Sequence, residues 1–218
     1  MSVRAPRRGR EAGGGAAGGS PWRPRHERGR ERQAKRDAVL AAAARAFRER
    51  GIHNTTLDDI AAFLNVTKPT IYYYLASKEQ IIFECFSLGA GRITAVLGEL
   101  AASRGSGREK LAALVRRYAE VMASDFGWCM VRVEDHDVSA PVAQQLRSMK
   151  SEIDQGIRGI IRAGCADGSI RSCDAKMAAF ALAGALNGIG HWYRTGAELT
   201  AAEVADRFVE LFERALAS

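Results

Sequence analysis

Several features that mark large protein classes are missing from this sequence. Its four cysteines, Cys85, Cys129, Cys165 and Cys173, form no Cys-x-x-Cys pair and have no histidine at metal-ligand spacing. That argues against zinc-finger and dithiol patterns, and the four read as small apolar core residues in a reducing compartment. The N-terminal region has no continuous apolar run; its uncharged stretch, AGGGAAGGS, is mostly glycine, so no secretory signal is expected. The nearest thing to a membrane span, residues 177–193, carries Asn187 and is shorter than the roughly 20 residues a span needs. A buried or interface helix is expected there, in a cytoplasmic protein. No internal repeat and no sustained heptad pattern is visible. The segment GSGREK, residues 105–110, lacks the spacing and strand context of a phosphate loop.

The formal net charge of +7 is unevenly placed. Residues 1–36 hold eleven Arg or Lys against three Glu, whereas residues 37–218 hold twenty-one basic and twenty-two acidic side chains. A basic arm suits a polyanion, either nucleic acid or an anionic membrane surface, or serves as a solvated tail. Residues 1–32 are rich in Gly, Pro and Arg, with too little apolar surface to offset ordering entropy. They are expected to be a disordered arm.

From Gln33 onward, helix signals follow one another without strand signals. Leu40, Ala43, Ala44 and Phe47 share one stripe, ended by Gly51. Four pairs have capping-box spacing: Thr56 with Asp59, Ser77 with Gln80, Ser106 with Glu109 and Thr200 with Glu203. Ser139 opens a long helix with Val142, Leu146, Met149, Ile153, Ile157 and Ile160 at spacings of three and four, broken near Gly168. Asp174 caps the next, to about Arg194, and Val204, Phe208, Leu211, Phe212 and Ala215 line the last. The expectation is an all-α protein of about nine helices. It divides into an arm (residues 1–32), a helix-turn-helix domain (33–82) and a helical domain for ligand binding and dimerisation (83–218).

Two short helices meet between Thr56 and Leu75. The first turns Ile60, Ala61 and Leu64 inward, and the second Ile71 and Leu75. Asn65 suits the left-handed residue that a sharp reversal needs, and Pro69 fits a first helical turn. The outer face of the second helix, with Thr67, Lys68, Thr70, Tyr72 and Tyr73, holds donors and a cation but no carboxylate. A helix in the major groove needs that composition. Thr56, Thr67, Lys68, Pro69, Thr70, Tyr72, Tyr73 and Lys78 are therefore the candidate DNA contacts, with Tyr74 packed inward or sideways.

Residues 51–84, GIHNTTLDDIAAFLNVTKPTIYYYLASKEQIIFE, resemble the N-terminal domain of the TetR family of bacterial transcription repressors. Gly51, Thr55, Thr56, Ile60, Ala61, Ile71, Tyr72, Tyr73, Lys78 and Glu79 fit its pattern. Asn65 and Leu75 depart from it, standing where glycine and phenylalanine are usual. The resemblance covers roughly residues 35–85. It implies a dimer on a pseudo-palindromic operator, joined through the last two long helices (residues 174–217). It also implies a small-molecule inducer that shifts the helix following Lys78 and releases DNA. In residues 174–194, Ala179, Ala183, Gly184, Gly188 and Gly190 leave a flat surface for close helix packing. The ending GHWYRTGAELTAAEV is similar to regulators of fatty-acid, steroid-side-chain or acyl-CoA metabolism, which implies a lipophilic acid or acyl-CoA ligand.

Met122, Phe126, Trp128, Met130 and Met149 offer apolar ligand lining, with Arg132, Asn187 and His191 as polar contacts; the bland alternative for them is plain core. No cofactor or metal is expected. A helical enzyme competes as a reading through Glu134, Asp135, His136 and Asp137. But neighbouring residues on a helix diverge, and no second histidine lies at i+4. A membrane-surface protein anchored by its basic arm leaves the acid-free face of residues 67–73 unexplained.

Overall fold

The computed structural model describes residues 25–217, which form nine α-helices and one short 3-10 turn. The helices are α1 (Arg25–Arg50), α2 (Leu57–Phe63), α3 (Lys68–Tyr74), α4 (Lys78–Ala102), α5 (Gly107–Ala123), α6 (Asp125–Arg132), α7 (Ala140–Ala166), α8 (Ala175–Trp192) and α9 (Ala201–Leu216). The turn, Asp135–Asp137, lies between α6 and α7. No strand occurs among the described residues.

Helix α1 already runs at Arg25, so the boundary expected after residue 32 falls inside a helix. Arg, Glu, Gln and Lys are good helix formers. Contacts one turn apart, Lys35 with Glu31 and Gln33 with Asp37, support this polar segment. Residues 1–24 of the expected arm lie outside the described residues.

The helix starts follow the expected chemistry. Thr56, Ser106 and Thr200 each form a reciprocal capping box with the acid three residues on. These bonds satisfy amides that a helix start leaves unpaired and hold Asp59, Glu109 and Glu203 below the usual carboxylate range. Ser77 differs. Its hydroxyl accepts from the Gln80 amide, but the Gln80 side chain reaches back to the Ala76 N–H instead.

Leu40, Phe47, Ile60, Ile71 and Leu75 are buried together and make the core of a small head built from α1, α2 and α3. Burial of each such side chain contributes about 1.5–3 kcal/mol. The same core continues through Ile81, Ile82, Cys85 and Phe86 on α4, so head and body share one long helix. Where α5 starts, it crosses the end of α7 at backbone contact: a Cβ on Gly107 would meet the Gly164 Cα at 2.2 Å. Only glycine fits there. Helix α4 is long and apolar enough to cross a membrane by length and composition alone, but Ile81, Phe86, Ala90 and Ile93 on it are buried in the core.

On the last helix Val204 is buried and Phe208 and Phe212 pack on the core, whereas Leu211 is exposed. One surface expectation needs correction. On α8, Ala179 and Gly190 face the core and not a flat outer surface. A Cβ on Gly190 would meet Val131 at 2.8 Å, whereas one on Gly184 meets nothing. Of the cysteines, Cys85 and Cys129 are buried, but Cys165 and Cys173 sit nearer the surface with sulfurs 3.9 Å apart.

Candidate DNA interface and ligand cavity

Helices α2 and α3 are joined by a tight turn. Asn65 takes a left-handed φ of 52°, among the described residues the one non-glycine position with positive φ. The Val66 N–H then donates to the Ala61 carbonyl at 2.9 Å, which closes the reversal. Thr55, fully buried, anchors the approach to α2 by donating its hydroxyl to the Gly51 carbonyl at 2.8 Å.

Helix α3 buries Ile71 and presents its other side to solvent. Tyr72 is 48% exposed and Tyr73 64% exposed, while Tyr74 is half-buried and packs on the core. The Tyr73 ring is not loose. Tyr74 meets it edge-on at 4.9 Å, and the Arg32 guanidinium from α1 lies 5.3 Å from its centroid. Thr67 does not cap α3 with its side chain; its hydroxyl bonds that of Thr70 at 2.9 Å. The structure thus places Lys68, Pro69, Thr70, Tyr72 and Tyr73 on α3, with Thr67 just before its first turn. Thr56, at the start of α2, has its hydroxyl committed to Asp59. Lys78, at the start of α4, reaches the carbonyl of His53 in the α1–α2 turn, 3.4 Å away.

One residue of this surface escaped the sequence reading. Asp58 of α2 pairs with the Lys68 ammonium at 2.7 Å. The hydrogen bond to Asp58, followed by its charge, pushes the Lys68 pKa above its ordinary value. The acid-free outer face of α3 therefore has a carboxylate beside it, donated by the neighbouring helix. Spacing within α3 had no means of revealing it.

A cavity of about 340 Å³ opens in the body between α5, α6, α7 and α8. Its floor is apolar, with Met130, Ile153 and Ile157 buried. Tyr118 donates its hydroxyl to the Asn187 side-chain carbonyl at 3.0 Å. Burial pushes the Tyr118 phenol up to about 12, so it stays a neutral donor at physiological pH. Lys150, Asp154 and His191 supply charged or titratable groups, and Asp154 is taken up by Arg158 of the same helix.

Met130, Asn187 and His191 among the expected ligand residues line this cavity. The other five do not gather there. Met122 is buried core, and Phe126 lies under the Arg92 guanidinium. The Met149 sulfur sits 3.7 Å from the Ser87 hydroxyl. Trp128 and Arg132 border a separate recess beside His53 and His136. Tyr118, Lys150 and Asp154 were missed. Lys150 and Asp154 occupy the polar side of an amphipathic helix, where sequence alone reads them as solvated.

Arg48 and Glu79 are among the residues whose bonds tie head to body. Arg48, its side chain 12% exposed, donates to the Ala123 carbonyl at 3.1 Å, to Asp125 at 3.0 Å and to the Tyr193 carbonyl at 2.7 Å. Glu79, in the first turn of α4, accepts the backbone N–H of Ser139 just before α7. That bond holds the Glu79 carboxyl below its usual range.

A family model described as bacterial regulatory proteins of the tetR family matches residues 39–85, the head. A second, the tetracyclin repressor-like C-terminal domain, matches residues 104–216. The chain belongs to the TetR family of transcriptional regulators. Its head is the family's DNA-binding domain, and the family is one of regulators and not enzymes. This TetR-family chain is 30% identical over 189 residues to the HTH-type transcriptional repressor KstR2 of Rhodococcus jostii (strain RHA1); the match covers 84% of this chain and 92% of that protein. Among solved structures it resembles the TetR family transcriptional regulator PfmR from Thermus thermophilus, with a TM-score of 0.73 and 25% identity over 81% of this chain and 97% of that one. It also shares the fold of AibR, solved in complex with isovaleryl coenzyme A and operator DNA. There the TM-score is 0.70, at 23% identity over 81% of this chain and 97% of that one.

Proposed function

We propose that this protein is a homodimeric, cytoplasmic repressor that binds a pseudo-palindromic operator and leaves it when an acyl ligand fills the body cavity. In this reading α3 enters the major groove. Tyr72, Tyr73, Thr67 and Thr70 give hydroxyls to phosphates and base edges, and Lys68 and Lys78 neutralise phosphates beside them. Lys68 leaves Asp58 to do so.

The observation that carries the ligand switch is the position of α7. It supplies Lys150, Ile153, Asp154 and Ile157 to the cavity, and the amide just before its first turn holds Glu79 at the head end of α4. A ligand that moves α7 therefore pulls on the helix that follows the reading head. The ligand releases DNA only if it binds the displaced state better than the DNA-bound one.

The cavity's chemistry selects an amphipathic anion. Met130, Ile153 and Ile157 suit an apolar chain, Asn187, its amide oriented by the Tyr118 hydroxyl, offers an N–H to a carbonyl, and Lys150 suits a carboxylate or phosphate. The cavity, about 340 Å³ and open to solvent, has room for a short acyl group, with any coenzyme A portion outside. The structure of AibR, which contains isovaleryl coenzyme A and operator DNA, supports the same ligand class.

Dimerisation rests on the outer faces of α8 and α9. Met177, Ala181, Gly184, Gly188 and Trp192 recur at spacings of three and four on the exposed side of α8, and Leu211 is exposed on α9. Such a stripe suits a four-helix interface between two copies. The test is fluorescence anisotropy of the protein on labelled DNA from its own upstream region, titrated with acyl-CoAs of two to twelve carbons and with the free acids. Release at micromolar concentrations of a short acyl-CoA supports the reading. Retention on DNA through every titration refutes the acyl-ligand part.

A further inference from the structure

Two turns meet where the head touches the body. His53 comes from the turn between α1 and α2, and His136 and Asp137 from the 3-10 turn between α6 and α7. The two imidazoles stack with centroids 5.5 Å apart and planes 3° from parallel. The Asp137 Oδ1 lies 3.1 Å from the His53 Nε2, and one donor atom from each of the three residues lies within 4.8 Å of the others.

The Asp137 side chain is 3% exposed. Its Oδ2 accepts the Glu134 backbone N–H at 2.8 Å, which fixes the carboxylate plane. Its Oδ1 is buried and has no aligned hydrogen bond, although His53 is close. Buried carboxylate oxygens are normally satisfied. This one faces two exposed imidazoles across a recess of about 230 Å³.

We propose that His53, His136 and Asp137 bind a divalent transition ion of the zinc class, and that the bound ion clamps the reading head to the body. Two imidazole nitrogens and one carboxylate oxygen are a zinc-type donor set, with water in the fourth position. Tetrahedral donors at normal zinc bond lengths stand about 3.3 Å apart, and the Asp137–His53 pair already stands at 3.1 Å. His136 closes the remaining gap by rotating its exposed ring. Glu134 lies 3.4 Å from the His136 Nδ1, a partner that leaves Nε2 to the metal. Because His53 belongs to the head and the other two ligands to the body, occupancy restrains their relative motion. This inference does not depend on the identity of the acyl ligand.

The experiment is calorimetric titration of the chelator-treated full chain with zinc chloride. Cobalt chloride serves as a visible-absorption probe of coordination. The expected result is one ion per chain, with affinity reduced at least tenfold in His53→Gln and in His136→Gln. Both side chains are exposed, and circular dichroism should show both variants folded. A Cys165→Ser, Cys173→Ser double variant should bind zinc as the parent does, and zinc should change DNA affinity in the parent but not in His53→Gln. Absence of saturable binding would mean that the cluster is only a histidine–aspartate ion pair and would overturn the proposal. Binding indifferent to both histidines, or removed by the cysteine changes, would also overturn it. Unchanged DNA affinity with zinc bound would overturn the clamp.

Discussion

Replacing Arg48 with alanine tests how firmly the head is held. The guanidinium makes three bonds: to Asp125 on α6, to the Ala123 carbonyl at the end of α5 and to the Tyr193 carbonyl after α8. It is largely shielded from water, but Asp125 is half open to it, so the charge pair itself contributes little. The two carbonyls matter more. A hydrogen bond from a charged donor contributes about 1.5–3 kcal/mol, but the Tyr193 carbonyl keeps a second bond from Arg194, and only the Ala123 carbonyl is orphaned and regains water in part. The net cost works out at about 1.5–3 kcal/mol. For a chain of this length, each kcal/mol lowers Tm by roughly 2–4 °C, so the variant should melt about 3–12 °C below the parent. Calorimetry reads the stability, and anisotropy on operator DNA reads the consequence: a loosened head binds more weakly, because its orientation must be fixed on binding. An Arg48→Ala protein with unchanged Tm and unchanged DNA affinity would refute the idea that this residue couples head to body.

Further outcomes follow from named contacts. Lys68→Ala should weaken DNA binding and lower the salt slope by about one, while Asp58→Asn, which frees Lys68 from its partner, should strengthen binding; equal effects of the two changes would refute their competition. Gly184→Glu should leave the protomer folded, since a side chain there meets nothing, but yield monomers in sedimentation; a surviving dimer would place the interface elsewhere. Glu79→Gln should leave operator binding near normal but blunt release by ligand. The depressed Glu79 carboxyl stabilises the fold above its unfolded pKa of about 4.3 and loses that contribution as pH falls through the lower folded value. The variant should therefore show a shallower loss of stability as pH falls below about 4.3, measured by denaturant titration. Tyr118→Phe should impair ligand release without affecting operator binding, which anisotropy with and without ligand separates.

Local physics made the head legible. The Thr56 capping box, Pro69 in a first turn and the left-handed Asn65 each depend on residues a few positions apart, and a single sequence displays such spacings directly. The outward pair of tyrosines followed from helix geometry in the same way. The cavity was only partly legible, because α5, α6, α7 and α8 each contribute separate residues to it. Asn187 and His191 stood out as polar residues in an apolar helix. Lys150 and Asp154 did not, because a cation and an acid on a helix surface look solvated until a neighbouring helix is in place. The same reason hid Asp58 beside Lys68 and His53 beside Asp137. The start of α1 was misplaced because a run of arginines resembles a disordered arm, although arginine is a good helix former.

Whether α3 reads operator DNA is decided by anisotropy of the purified protein on its own upstream DNA, with salt varied and random competitor added, alongside a Tyr72→Phe, Tyr73→Phe double variant. A reading helix gives tight binding that survives competitor in the parent and is lost or greatly weakened in the variant. Binding that competitor removes completely, or that the double variant retains in full, would contradict it.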